Sequence, residues 1–470
     1  MDRARSDDQA AAQAFLAEIW AALGGDPARA GAVRFRGEGA LRSSLPVSDL
    51  AAGSVGAAAL AAADFREASG GPAAEVWADR RLASLWFRAS IRPGWETPPA
   101  WDALAGDYAT ADGWIKLHTN APHHRAAALR ALGLGTGGLE AGATRDAVAE
   151  AVAGWRAGTL ETAVVAAGGC AAEMRTLAEW RAHPQGAAVH AAPLVLLDPG
   201  EEGPPLAPMT DPARPLAGIR VLDLTRILAG PVATRFLAGL GAEVLRLDPL
   251  DWEEPSLAPE VTLGKRCARL DLSAEAGRAR FLALLAGADV LVHGYRPGAL
   301  ERLGLGPEAR AAARPGLVDV SLCAYGFSGP WAGRRGFDSL VQLSSGIAEM
   351  ERAAAGLDRP GALPVQALDH GAGYMLAAAA LRGLTERRRR GIGLRARCSL
   401  ARCAALLTAG GAGAPRGELG AAEDADFAPA PEITPWGEAR RLRPPAGIAG
   451  APMLWDRPAG PLGVAAPDWA

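Results

Sequence analysis

Between residues 219 and 326 short aliphatic runs alternate with helical stretches, and this alternation leaves few folds open to the chain. IRVLDL (219–224), EVLRLD (243–248), DVLVHG (289–294) and LVDVSLCAYG (317–326) read as strands. PVATRFLAGL (231–240), with Pro231 in its first turn, and AEAGRARFLALLAGA (274–288) read as helices. Strands of this kind joined through helices imply a parallel sheet with right-handed crossovers, so the expected fold class is α/β. In such sheets function gathers at the carboxyl ends of the strands.

The rest of the chain is arranged around that region. Residues 1–44 form an N-terminal helical segment, with an amphipathic helix over 8–24. Residues 45–197 hold a helix that opens at Asp49 and then a smaller domain, where AGDYATADGWIKLHTN predicts a hairpin turning at Asp112-Gly113. Gly133 to Gly138 fits the GxGxxG pattern but follows a helix, so it reads as a helix stop and a turn. Residues 198–217, rich in Pro and acidic side chains, read as a linker to a large domain over 218–409. Residues 410–470 read as an extended Pro/Gly-rich tail pinned by Trp436, Trp455 and Trp469.

Composition removes several classes of function. A net charge of −3 and a pI near 6.2 give no general basic surface, so no nucleic-acid partner is expected. No apolar run reaches the roughly 18 residues of a membrane span. Five scattered cysteines fit a reducing compartment, and the expected location is cytoplasmic. The histidines form no metal-binding spacing, with His123-His124 reading as a solvated turn, and no Ser sits in a GxSxG frame.

The chemistry is expected at a carboxylate. In LPVQALDHGAGYMLAAAALRGL, residues 363–384, an apolar run ends at Asp369 and a helix of small residues begins. An Asp there reads as a helix cap kept ionised by first-turn N–H groups. LPVSDLAAGSVGAAALAAADF, residues 45–65, repeats the pattern around Asp49, and each copy continues into a turn and a second helix. That shared order points to an internal duplication. Basic residues at loop positions of the parallel sheet, Arg226, Lys265, Arg266 and Arg296, together with the Ala229-Gly230-Pro231 turn, suggest a site for a phosphorylated ligand.

PLAGIRVLDLTRILAGPVATRFLAGLGAEVLRLD, GKRCARLDL, ADVLVHGYRPGALERLGLG and YGFSGPWAGRRGFDSLVQLSSG resemble the nucleotide-binding half of the family III CoA-transferases, the CaiB/BaiF or formyl-CoA transferase-like group. Residues 45–190 resemble the same family's smaller domain, so family segments stand here in rearranged order with the Asp module duplicated. The resemblance implies a Rossmann-like large domain, a smaller α+β domain, a homodimer, and acyl-CoA and a carboxylic acid as substrates, with no permanently bound cofactor. It places the catalytic Asp at Asp369, with Asp49 as second choice. It implies transfer of CoA through an aspartyl-CoA thioester, with Gly371 and Gly373 offering backbone N–H groups to developing oxyanions. The alternatives are a non-catalytic CoA-binding homologue, or a 2-methylacyl-CoA racemase-like isomerase. Racemases resembling the chain carry His where Phe337 stands, leaving His370 as the conceivable replacement base.

Overall fold

The computed structural model describes residues 2–135 and 143–469, so part of the Gly133 to Gly138 stretch lies outside the described residues. An N-terminal module contains α1 (Asp2–Ala22), α2 (Pro27–Ala30), β1 (Val33–Arg36), α3 (Val47–Ala68), β2 (Val76–Asp79), α4 (Arg80–Arg88) and β3 (Ile91–Pro93). The smaller domain follows with β4 (Gly106–Ala109), β5 (Trp114–Leu117), α5 (Pro122–Ala131), α6 (Arg145–Ala153), α7 (Ala157–Ala166), β6 (Ala171–Glu173), α8 (Leu177–Ala182) and α9 (Pro184–Ala191). The first part of the large domain runs through β7 (Leu196–Glu202), β8 (Arg220–Leu224), α10 (Ala229–Gly239), β9 (Glu243–Asp248), α11 (Ala258–Val261), β10 (Lys265–Arg269) and α12 (Glu275–Ala286). It continues with β11 (Val290–His293), α13 (Pro307–Ala313), β12 (Val318–Cys323), α14 (Asp338–Ser344), α15 (Ile347–Ala355), α16 (Ala367–Arg390), β13 (Ile392–Ser399) and α17 (Leu400–Leu407). The tail adds β14 (Glu432–Thr434), β15 (Gly437–Arg441) and β16 (Ala446–Ile448).

The large sheet has the order β10-β9-β8-β11-β12-β13-β7, parallel except for the β13–β7 pair. The strands expected at 219–224, 243–248, 289–294 and 317–326 are all in it. The order reverses between β8 and β11, and a crevice opens at such a point beyond the strand ends. The linker expected over 198–217 needs correction at its start: residues through Glu202 belong to β7, whose backbone groups pair antiparallel with β13. That pairing covers β13 and makes β7 the edge strand, so the connecting segment begins at Gly203.

Helix α16 is buried along most of its length, because Ala and Gly let neighbours approach on every side. It packs on α3, on α10 and against β12 and β13. The two Asp-helix modules share one local order: α3, β2 and α4 in the first, α16, β13 and α17 in the second. Both second helices are capped from the strand end, where Asp79 accepts Leu82 N–H and Ser399 accepts Arg402 N–H. The tail runs back over the N-terminal module, where β16 pairs with β2 and β15 with β3. Trp436 stacks on Trp95, Trp455 stacks on Trp86, and Trp469 lies under the Arg220 guanidinium.

Candidate active site

Asp369 lies in the first turn of α16 and is 8% exposed. It does not cap the helix. The acceptor at this end is Asp338 of α14, whose Oδ2 takes the N–H groups of Leu368 at 2.8 Å and Asp369 at 3.0 Å. Gln342 donates its side-chain amide to Asp338 and accepts Leu363 N–H at 2.9 Å, so α14 fixes the chain entering α16. Asp369 is therefore not held ionised as a cap would be. Burial, reinforced by the charge of Asp338, pushes its carboxyl well above the usual carboxylate range. Burial also raises Asp338, to about 6, against the opposing pull of its hydrogen-bond donors. Two buried carboxyls this close titrate as a pair. The donors favour charge on Asp338, which leaves the proton on Asp369.

Gly371 and Gly373 do not form an oxyanion site. They lie inside α16, where backbone N–H groups are spent on helical hydrogen bonds, and the N–H groups nearer the helix start go to Asp338 and Gln366. Their lack of a side chain serves packing instead. A Cβ at Gly373 would stand 2.5 Å from Ala229 O at the start of α10, and one at Gly371 would stand 3.1 Å from Cys403 Sγ. Gly373→Ala should accordingly lower stability by about 1–3 kcal/mol, read as a reduced thermal midpoint. Gly371→Ala should cost less, because Cys403 and Leu50 are side chains that can give.

Asp49 occupies the equivalent first-turn position in α3 but has a different environment. It is ion-paired with buried Arg80 of α4, and Arg80 also donates to Gly39 O at 3.1 Å. His370 offers no base: its ring stacks on Phe87 at 4.9 Å, and burial pushes its pKa down to about 3.

The four basic candidates separate into two pairs. Lys265 Nζ is enclosed by Asp223 at 2.9 Å and Pro231 O at 3.0 Å, an internal pair that stitches β10 to β8 and α10. Arg266 is held by the tail through Asp468 Oδ1 at 2.7 Å. Neither presents its charge to a ligand. Arg226 and Arg296 instead lie on the loops after β8 and β11, on either side of the order reversal. The Arg226 guanidinium lies over Trp252 at 5.0 Å and Tyr295 at 5.2 Å. Ile227 beside it has φ 69°, alone among the described non-glycine residues in having positive φ. A β-branched residue pays for that conformation, and Glu254 holds it by accepting Ile227 N–H at 2.9 Å. Ala229 and Gly230 form the first turn of α10; Gly230 is closed against Thr225, so this turn packs rather than cradles.

Sequence reasoning missed two contributors to this region. Asp338 is one. The other is the pair His118 and His124 in the smaller domain. His118 stacks on Phe337 at 3.8 Å with the rings 2° from parallel, and His124 meets the same ring edge-on at 5.8 Å. The solvated turn expected at His123-His124 needs correction: both residues lie in the first turn of α5, with His123 exposed and His124 5% exposed. Alternation in DGWIKLHTN puts Ile115 and Leu117 on one face and His118 on the other with Lys116, so no local signal buries His118 or places it on Phe337.

Residues 216–424 match the sequence model of CoA-transferase family III. Over that region the chain is similar to CoA-transferase family III. The family III region contains Asp338, Asp369, Arg226 and Arg296, and it excludes Asp49, His118 and His124. A probable fatty acyl-CoA transferase, Rv3272 of Mycobacterium tuberculosis, is 36% identical over 39% of this chain and 50% of its own. An acyl-CoA transferase of Gibberella moniliformis is 32% identical over 60% of this chain and 52% of its own. Succinyl-CoA:glutarate CoA-transferase of Mus musculus is 34% identical over 40% of this chain and 46% of its own. The chain thus spans about half the length of the curated relatives it matches. A crystal structure of Rv3272 superimposes with a TM-score of 0.39 at 34% identity, covering 43% of this chain and 58% of that one.

Proposed function

We propose that the protein transfers CoA between carboxylic acids with Asp369 as nucleophile. The observation that carries this reading is the buried Asp369, held through its backbone by Asp338 inside the family III region. Once deprotonated, a carboxylate stripped of water is a strong nucleophile toward a thioester. It attacks the acyl carbonyl of acyl-CoA, giving a mixed anhydride and CoA thiolate. The thiolate attacks the aspartyl carbonyl, releasing the first acid and leaving aspartyl-CoA. The incoming carboxylate reverses the two steps and leaves as the new acyl-CoA. Arg226 and Arg296, on the loops at the order reversal, are the proposed holders of CoA phosphates. Asp369 is preferred to Asp49 because an ion pair with Arg80 lowers the reactivity of a carboxylate.

The duplicated module and rearranged order are also part of this reading, supported by the matching helix-strand-helix order of the two modules and the packing of α3 on α16. The relatives are named for fatty acyl and for succinyl and glutaryl groups, so the donor panel should span both. The test is incubation with each acyl-CoA in the absence of acceptor, followed by intact-mass analysis and hydroxylamine treatment. An adduct of CoA on Asp369, converted by hydroxylamine to a hydroxamate, is expected. Absence of an adduct and of exchange across donors and acids would leave a non-catalytic homologue.

A further inference from the structure

The ring nitrogens of His124 and Nδ1 of His118 are buried and have no hydrogen-bond partner among the described residues. Unmet buried polar groups are costly, and a pair of them at a domain junction calls for a polar guest. Arg335 and Arg296 stand beside His124, with no carboxylate paired to either among the described residues. Arg335 makes a hydrogen bond to Gly168 O at 3.3 Å, and Arg296 one to Gly333 O at 3.1 Å. The contrast with Arg334 is direct: that side chain is consumed by Ala171 O at 2.7 Å and by Glu161 at 3.0 Å. Phe337, against which both histidines pack, has extended backbone with φ −138° and ψ 162°, so its side chain and that of Asp338 leave the chain on opposite sides. Asp338 turns inward to fix the first turn of α16, while Phe337 meets the histidines of the smaller domain.

We propose that His118, His124 and Arg335 form the subsite for the carboxylate of the acid that receives CoA, next to Arg296 of the CoA site. This inference rests on the transfer chemistry above. A flat anion suits the place: a guanidinium grips a carboxylate with two parallel hydrogen bonds, and neutral imidazoles each supply one N–H. Burial pushes His118 down to about 4 and His124 down to about 3. Cationic neighbours add to this, Lys116 at His118, and Arg335, Arg296 and the other histidines at His124; Asp251 faces only the exposed His123. A bound carboxylate opposes that field, so acid binding should draw a proton onto the site.

The experiment uses the full chain without CoA, with propionate as probe and histidine ring signals followed by NMR. Propionate should move the His118 and His124 signals saturably, and calorimetry in two buffers of different ionisation enthalpy should show proton uptake. Arg335→Met should weaken binding about tenfold or more, with partial recovery in Arg335→Lys. In turnover, Arg335→Met should raise KM for the acid and leave KM for acyl-CoA unchanged. Ring signals that ignore propionate, or a rise in KM for acyl-CoA alone, overturn the inference; the latter assigns the cluster to CoA phosphates. Propionate binding in a protein that never forms aspartyl-CoA supports the subsite and removes the transfer reading. An adduct with unmoved rings does the opposite.

Discussion

Asp369→Asn is expected to abolish formation of aspartyl-CoA, with transfer falling at least about a thousandfold, while making the protein more stable at neutral pH. The two effects share one cause. Burial first, and the charge of Asp338 second, hold the Asp369 carboxyl above its usual range. A carboxyl raised in the folded state contributes stability that is complete below its unfolded value, near 3.9, and is lost as pH rises through the folded value. The amide carries no such liability. The thermal midpoint of the variant should therefore exceed that of the parent above the folded pKa and converge with it below about pH 4. Each unit of elevation corresponds to about 1.4 kcal/mol. A variant that keeps transferring CoA removes Asp369 as nucleophile, and one that is less stable at pH 8 removes the account of its protonation.

Asp338→Ala should be the more damaging substitution for folding. It strips the acceptor from Leu368 N–H, Asp369 N–H and the Gln342 amide in a buried setting. Each unmet donor costs about 1–3 kcal/mol, so a loss of about 3 kcal/mol or more is expected in chemical denaturation. Asp338→Asn separates geometry from charge. Its amide oxygen can still accept the N–H groups of the first turn, but the negative charge beside Asp369 is gone. Asp369 should then ionise at lower pH, and the acidic limb of adduct formation should move downward. An unchanged limb in that variant would show that Asp338 acts on Asp369 through position alone.

Local pattern made the large sheet readable. Strands buried on both faces announce themselves by continuous aliphatic runs, and the helices between them by length and by Pro231. The Asp-helix of α16 was equally plain. Its electrostatics were not, because the residue that decides them, Asp338, stands 31 positions earlier and joins it only through backbone N–H groups. Lys265 misled for a related reason. A lysine at the start of a strand reads as a ligand cation until its partner, Asp223, is seen 42 residues away on β8. The edge strand β7 was hidden by Pro199 and Gly200, residues that belong to linkers but are tolerated at a sheet edge. His118 and His124 meet Phe337 only because the smaller domain folds onto it.

The return of the tail to the first module also governs the order in which the chain can fold. Strand β2 acquires its second neighbour from β16, so position 76 waits for position 448, and α3 waits for α16 before its apolar surface is covered. At about 5–20 residues per second, ribosomal synthesis separates those events by tens of seconds. Through that interval the Ala- and Leu-rich α3 has only the elements of its own module, α1, β1, β2 and α4, to pack on. The first module is thus made before the large domain and finished after it, and its nascent form is a natural client for chaperones. A chain stopped just before β16 leaves β2, far upstream of the cut, without its second neighbour.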